Sequence, residues 1–268
     1  MNKKIMLGII VGLVLGSVSV YAGTKFYASD VSVSAPTGSN LGSNSTLQNA
    51  LDDLYSKINS YTKLYPNGTA IYYNPTTGEK CTSSSAVSTT GTKNGCMKWY
   101  TFNDEEGNSS VNLILDHNTT AGVAWNSSGN NSEMNEAAKT LINDTKAWKV
   151  AARLITANEV AKISGNTNWD SSKTGQDWFY LGSNNQSDTS KRSNYGWLYD
   201  RTGQDCKEYG CSNNSNVEIY GYWTSSANIS DFTYAWGVYG GGHLDDGPVI
   251  YTNAGVRPVI TVSKPIIK

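Results

Sequence analysis

Charged side chains are scarce in this chain. Asp, Glu, Lys and Arg together make up 16% of its 268 residues, and the formal net charge is -1. Proteins that bind nucleic acid neutralise phosphates with a clustered excess of Lys and Arg. The balanced charge excludes that class, and we predict no nucleic-acid partner.

Histidine and cysteine are rarer still, with two and four residues. His117 and His243 are far apart and no Cys-x-x-Cys pair is present, so the sequence lacks the clustered ligands of a zinc site. His117 follows Asp116 but has no serine or cysteine signature beside it, and a hydrogen-bonded structural role is expected. We therefore predict no catalytic residue, no metal and no cofactor.

The four cysteines fall into two local groups, Cys81 with Cys96 and Cys206 with Cys211. Four cysteines allow three pairings. The two local pairings are favoured because each brackets a polar, turn-prone loop, and disulfides are the expected state of cysteines in an exported chain. We expect each disulfide to stabilise the fold by about 2–3 kcal/mol.

Tyrosine, tryptophan and glycine are abundant instead, with 17, 8 and 26 residues. With many Ser, Thr and Asn residues, this composition is typical of a loop-rich β protein with a neutral, polar surface. Tyr, Ser, Gly and Asn are also enriched in antibody-type binding loops, because tyrosine supplies contact area at low entropic cost. An ordinary extracellular surface rich in Asn and Thr explains the composition equally well.

The first 22 residues predict export. Lys3 and Lys4 precede an apolar run over residues 5–22, which ends in the small residue Ala22. This is the pattern of a signal peptide, yet the run is also just long enough to span a bilayer. A cleaved signal peptide and a retained membrane anchor both stay open for residues 1–22. Either one predicts an extracellular, cell-surface protein.

A linker and a helix are predicted next. Residues 23–44 are rich in Ser, Gly and Thr, as linkers are. A helix is predicted over residues 45–65, because Ser45-Thr-Leu-Gln48 has the capping-box pattern. Its apolar residues recur at alternating spacings of four and three, as in a coiled coil: Leu47, Leu51, Leu54, Ile58, Tyr61 and Tyr65. This seam packs on the protein's own domain, or residues 47–65 form the stalk of a homo-oligomer.

Residues 69–268 are predicted to form one ligand-binding domain. Within it, Ser132 is the expected N-cap of a helix that ends at Asn143 and buries Met134, Ala137, Ala138, Leu141 and Ile142. Thr156 and Glu159 form a second capping box, and Gly165 is suited to the C-cap.

The C-terminal stretch alternates fixed-looking strand segments with irregular inserts. Trp223 and Trp236 are large enough to fill a core, and residues 256–262 are predicted to form a terminal strand rich in β-branched residues. Between these segments lie residues 227–233 and 239–253, which have little apolar periodicity. A rigid frame that carries irregular loops is typical of a binding surface.

Two signatures carry a resemblance to a known family. Arg153-Leu-Ile-Thr-Ala-Asn-Glu159 resembles the Arg-Leu-Pro-Thr-x-x-Glu motif of the formylglycine-generating-enzyme-like branch of the C-type-lectin fold. Trp223-Thr-Ser-Ser226, Ala235-Trp236 and Gly255-Val-Arg-Pro-Val259 resemble the closing half of the same superfamily. The resemblance covers residues 70–262. It implies an α+β, C-type-lectin-like fold with small antiparallel sheets, two helices (132–143 and 157–163) and long loops, in which Arg257 is a buried structural residue.

The sequence is not equally similar to all branches of this superfamily. The enzyme branch needs active-site cysteines, whereas the cysteines here bracket loops outside the 255–259 strand. Calcium-dependent sugar binding uses Glu-Pro-Asn and Trp-Asn-Asp, whereas this chain has no Glu-Pro-Asn and has Asn168-Trp-Asp170 instead. The variable proteins of diversity-generating retroelements are the most similar branch, because their variable positions also lie near the C-terminus between fixed framework residues.

We therefore predict an exported, surface-displayed bacterial adhesin or receptor-like protein that is not an enzyme. Its ligand is an extracellular protein or glycan. An enzyme of the formylglycine-generating type, or a structural subunit of a surface fibre or pilus, is the alternative. The residues predicted to contact the ligand are Asn228, Ser230, Asp231, Phe232, Tyr234, Tyr239, His243, Asp245, Asp246, Tyr251 and Asn253.

Overall fold

A computed structural model describes residues 32–33, 45–46, 48–49, 51–55, 64–82, 95–119, 122–166, 169–170, 178–199 and 221–267. Its strands are β1 (Ser32–Val33), β2 (Ser45–Thr46), β3 (Ala70–Asn74), β4 (Glu79–Lys80), β5 (Met97–Phe102), β6 (Ser110–Leu115), β7 (Ala152–Arg153), β8 (Phe179–Tyr180), β9 (Gly221–Ala227), β10 (Tyr234–Tyr239), β11 (His243–Pro248), β12 (Ala254–Gly255) and β13 (Val259–Ser263). The α-helices that lie wholly within the described residues are α1 (Glu136–Thr145), α2 (Ala157–Ser164) and α3 (Gly196–Tyr199), with 3-10 helices at Arg192–Tyr195 and Lys264–Ile267. The protein is thus a mixed α+β protein with antiparallel sheets and few helices, which confirms the predicted fold class at that level.

The chain divides into two compact units, residues 1–59 and 60–268. In the first unit, β1 pairs antiparallel with β2, and residues 48–49 and 51–55 are helical. Ser45 therefore lies in a strand rather than at a helix start, and the predicted linker contains a strand. The predicted signal or anchor segment lies outside the described residues. Where the structure does describe the chain, no helix combines the length and the hydropathy needed to cross a bilayer.

The second unit is built on a six-stranded sheet in the order β4-β3-β5-β6-β13-β7. One of its faces covers a core that contains Trp99, Leu113 and Ile260. Tyr65 belongs to this core and is only 4% exposed. The last residue of the predicted coiled-coil seam is thus buried in its own domain, and the carbonyl of the following residue, Pro66, accepts the hydroxyl of Thr101 on β5.

A five-stranded sheet in the order β12-β9-β10-β11-β8 carries the C-terminal stretch. β10 is its middle strand and pairs along its whole length with β11, from Tyr234 opposite Pro248 to Tyr239 opposite His243. The predicted irregular insert 239–253 therefore contains a regular strand. Of the predicted terminal strand 256–262, only residues 259–262 lie in a strand, β13, which pairs with β6 of the other sheet. The separate strand β12 before it pairs with β9.

The predicted N-cap is present in α2 but not in α1. In α2, the Thr156 hydroxyl accepts the Glu159 backbone N–H, the Glu159 carboxylate accepts the Thr156 N–H, and Gly165 ends the helix at φ 68°, as predicted. In α1, the helix starts four residues after Ser132, which is bonded instead to Asn130 in a turn. Ile142, which was expected to be buried, is 65% exposed, because the buried face of α1 passes through Ala137 and Leu141 instead.

Arg257 links the two sheets from a fully buried position. Its guanidinium donates to four backbone carbonyls, those of Leu115 (2.6 Å), Leu198 (2.5 Å), Asp116 (3.1 Å) and Trp197 (2.7 Å). The guanidinium carbon also lies 5.1 Å from the centre of the Tyr222 ring. Burial raises the pKa of Tyr222 to about 12, although Arg257 acts in the opposite direction. The structural position implied for Arg257 agrees with this geometry.

The disulfide between Cys81 and Cys96 is present, with the two Cα atoms 6.0 Å apart, which confirms this local pairing. It joins the residue that follows β4 to the residue that precedes β5. Cys206 and Cys211 lie outside the described residues. The second predicted disulfide therefore stays a prediction.

Replacing Glu159 with glutamine is expected to destabilise the protein by about 1 kcal/mol. The Glu159 carboxylate accepts both terminal guanidinium nitrogens of Arg153, at 2.7 and 2.6 Å, as well as the Thr156 N–H. Burial would raise the pKa of Glu159, but these bonds hold it below its usual range, so the stabilisation is lost as pH falls through that pKa. Urea unfolding at neutral pH measures the loss. Glu105→Gln is the matched control, because the Glu105 pair with Lys162 is exposed, and an equal loss there would contradict the prediction.

Candidate functional site

An open pocket of about 350 Å³ lies against β11 and the segment that follows it. Its lining includes six of the residues predicted to contact a ligand: Tyr239, His243, Asp245, Asp246, Tyr251 and Asn253. β11 and the end of β10 supply the first four, and the segment after β11 supplies the last two. The fold therefore brings most of the second predicted insert to one concave surface.

The end of the pocket nearest the turn Gly240-Gly-Gly242, which joins β10 to β11, is aromatic. Tyr239 and His243 are directly opposed in the register of β10 and β11, and their rings stack at 5.3 Å with an interplanar angle of 9°. Trp178 and Tyr180 contact the imidazole at centroid distances of 5.1 and 6.0 Å. Burial, with the Arg192 charge as a smaller cause, lowers the pKa of His243 to about 4. At neutral pH His243 is thus an uncharged ring held among aromatic rings.

The other end of the pocket is acidic. The Asp245 carboxylate accepts the Asp246 backbone N–H at 2.9 Å. Burial and the neighbouring Asp246 charge raise the pKa of Asp245 to about 7. Burial raises the pKa of the Tyr239 hydroxyl, and the nearby Asp245, Asp246 and Tyr251 raise it further. The hydroxyl is therefore a neutral donor close to both acids. A single pocket thus combines aromatic faces, carboxylate acceptors and a hydroxyl donor.

Asn228 does not face a ligand, and its prediction as a contact residue is corrected. It is 1% exposed, and its side-chain amide donates to the Asp246 carboxylate at 2.6 Å. Its Oδ1 accepts the backbone N–H groups of Ser230 and Asp231. Asp246 is itself only 8% exposed at the pocket. Asn228 therefore fixes the first insert to the strand that carries the pocket.

The first insert is a loop ordered by a residue that the sequence analysis missed. The Asn131 amide donates to the backbone carbonyls of Asn228, Asp231 and Tyr234 at 2.6, 2.9 and 2.7 Å. The Asp231 carboxylate is also used locally, since it accepts the N–H and the hydroxyl of Thr233. Asn131 lies in the run Asn130-Asn-Ser132, which has the appearance of any polar turn, so no signal in the sequence distinguishes it.

Large apolar side chains are exposed on both inserts. Phe232 and Ile229 are 72% and 71% exposed on the first insert, and Ile250 and Tyr251 are 52% and 50% exposed on the second. The Val249 N–H donates to the Thr233 carbonyl at 2.9 Å, so the two inserts adjoin. A second hollow is lined by residues 250–253. Only Phe232 and Tyr251 of these four were predicted, because isoleucine gives no sequence signal for surface contact.

The remaining predicted residues divide into exposed and buried positions. Ser230 is exposed, and Tyr234 is half-buried at the start of β10. Trp223, Trp236 and Arg257 are all fully buried, which is where the sequence places them. His117 is 4% exposed, with Nδ1 3.9 Å from the Asp116 carboxylate. Among the residues that the structure describes, no group of three or more His, Cys, Asp or Glu could hold a metal ion.

Asp245→Asn is expected to stabilise the protein at pH 8 and to change little at pH 4. The folded-state pKa of Asp245, about 7, lies above the ordinary value of 3.8. Between these values the folded state holds a proton that the unfolded state has lost, so stability falls as pH rises through this window. Because Asp245 is partly exposed, we expect a gain of about 1–2 kcal/mol at pH 8.

Urea unfolding of both proteins at pH 4 and pH 8 measures this difference. Asp231→Asn is the control, because the contribution of Asp231 to stability is expected to change with pH in the opposite direction. Hydrogen bonds from the Thr233 hydroxyl and N–H lower the pKa of Asp231, so its contribution is present at high pH and lost as pH falls. An equal gain in stability for Asp245→Asn at both pH values would contradict the raised pKa of Asp245.

Compared with known proteins, the chain matches no protein-family model, no curated protein and no solved structure. The geometry of the pocket and of the two inserts therefore carries the functional argument.

Proposed function

We propose that this chain is an exported, surface-displayed bacterial protein that binds an extracellular protein or glycan through its C-terminal inserts. The observation that carries the proposal is the convergence of six predicted residues on one open pocket beside four exposed apolar side chains. Soluble proteins rarely expose several large apolar residues together without a partner for them. We define the binding face as this pocket together with residues 229–234 and 250–253.

The chemistry of the binding face suits a neutral, polar ligand. Tyr251 and Phe232 offer exposed ring area at low entropic cost. Asp245 and Asn253 line the pocket with acceptors that give hydrogen bonds their direction. The hydroxyl groups of a sugar, or the polar side chains of a protein loop, meet these requirements.

We further propose that the domain has a C-type-lectin-like fold of the kind used by the variable proteins of diversity-generating retroelements. Two sheets, antiparallel apart from the β12–β9 pair, with short helices and long connections support this assignment. The division of the C-terminal stretch supports it as well: Trp223, Trp236 and Arg257 are fully buried, whereas the apolar residues of the inserts are exposed. A near-copy of the coding segment for residues 223–259 that differs at adenines, beside a reverse transcriptase gene, is the expected genomic finding.

The binding proposal is tested with the double variant Phe232→Ser and Tyr251→Ser. We expect the wild-type protein to bind members of a glycan array or an extracellular-protein array, and the double variant to lose at least about tenfold in affinity. The melting temperature is expected to stay the same, because both side chains are at least half exposed.

Ile142→Ser is the matched control, since Ile142 is a similarly exposed apolar residue on α1 that is not part of the binding face as defined. It should bind as the wild type does. Retained binding by the double variant would overturn the proposal, and so would an equal loss in the Ile142 variant.

A further inference from the structure

The fully buried side chains of a lysine and an aspartate meet outside the binding face. Lys264 follows β13, Asp104 follows β5, and both side chains are 0% exposed. The Lys264 Nζ atom lies 2.8 Å from the Asp104 Oδ1 atom. The backbone is fixed there as well, because the Lys264 N–H donates to the Ser109 carbonyl at 3.0 Å.

The contact between the two groups is close, but it is not a hydrogen bond. Among the described residues, neither the Lys264 Nζ atom nor the Asp104 Oδ1 atom has a hydrogen-bond partner. The other carboxylate oxygen, Oδ2, accepts the Tyr65 N–H at 2.9 Å. A buried ion pair repays its desolvation cost only when further hydrogen bonds satisfy both groups. An ion pair is therefore a poor account of this arrangement.

We propose that Lys264 and Asp104 are joined by an intramolecular isopeptide bond. The ammonium first transfers one proton to the carboxylate, which produces an amine and a carboxylic acid. The Nζ lone pair then attacks Cγ, and the Cγ–Oδ1 bond breaks. One Nζ proton stays on the amide and two leave with Oδ1, so one water is released and no oxidant, reductant or co-reactant is needed.

The surroundings supply what this condensation requires. The fold holds the two reacting groups together, which replaces a bimolecular encounter with an intramolecular step. The Tyr65 N–H points at Oδ2, the oxygen that carries negative charge in the tetrahedral intermediate. The product is a neutral amide, so condensation also removes two opposite charges from the protein interior. The bond would fasten β13 covalently to the turn between β5 and β6.

The test is the intact mass of the full chain after denaturation and reduction of disulfides, for the wild type and for Lys264→Arg. We expect the wild type to be lighter than its sequence mass by about 18 Da, one water, and the variant to have its sequence mass. Any N-terminal processing affects both proteins alike. Proteolysis of the wild type should release one branched peptide that contains both Asp104 and Lys264.

A second variant checks the chemistry. In Asp104→Asn the same attack expels ammonia, so the expected loss is about 17 Da. Separate, unlinked wild-type peptides for Asp104 and Lys264 would overturn the proposal, even if neither variant folds. A water loss without the branched peptide would overturn it too, because an aspartate can also lose water within its own backbone.

Discussion

Arg257→Met is expected to destabilise the protein by about 3–5 kcal/mol. Methionine matches much of the volume of arginine but cannot donate, so it leaves four carbonyls without their donor in a site with no exposure. These carbonyls belong to residues 115–116 at the end of β6 and to residues 197–198 in α3, which the guanidinium holds together. We therefore expect the whole domain to lose stability, and not only the segments next to Arg257.

Chemical denaturation followed by tryptophan fluorescence measures this loss. Arg257→Lys should recover only part of the stability, because an ammonium is a point donor and cannot span four carbonyls as the planar guanidinium does. Lys139→Met is the matched control, since it removes a positive charge from an exposed position on α1 and should change stability by less than about 0.5 kcal/mol. Comparable losses at Arg257 and Lys139 would show that the carbonyl contacts carry little energy.

Local sequence rules predicted the parts of the fold that depend on local chemistry. The capping box of Thr156 and Glu159 needs only residues three apart in the chain, and it is present. The Cys81–Cys96 disulfide likewise closes a short loop. Trp223 and Trp236 are buried, as expected of side chains with so much apolar surface.

The parts that were missed depend on contacts between distant residues. β11 contains two Asp, Gly and Pro, all of low β-propensity, and it is a strand because β10 offers six successive partners. Asn131 and Asn228 meet across 97 residues of sequence. A polar residue that bonds to a distant backbone has the same sequence signature as one that faces water. The sequence therefore indicated the stretch that lines the pocket, but it did not separate the side chains that build the pocket from those that face outward.

Asn228→Asp is expected to destabilise the protein by about 3 kcal/mol or more at neutral pH. The substitution keeps the shape of the side chain and its acceptor for the Ser230 and Asp231 N–H groups. It replaces the amide that donates to Asp246 with a second carboxylate oxygen, at a separation of 2.6 Å between two nearly unexposed side chains. Two such carboxylates cannot both ionise at this distance, so the loss should shrink as pH falls and one of them is protonated.

The double variant Asn228→Asp and Asp246→Asn is the decisive comparison, because it exchanges donor and acceptor across the same bond. Each position again carries one partner of an amide–carboxylate hydrogen bond, and we expect most of the lost stability to return, with a coupling free energy of about 2 kcal/mol or more. Urea unfolding of the wild type, both single variants and the double variant completes the cycle. Additive losses would mean that the first insert is not held to β11 through this bond. Strong coupling would mean that the loop bearing Phe232 and the strand lining the pocket form one rigid surface, as a binding face built from both inserts requires.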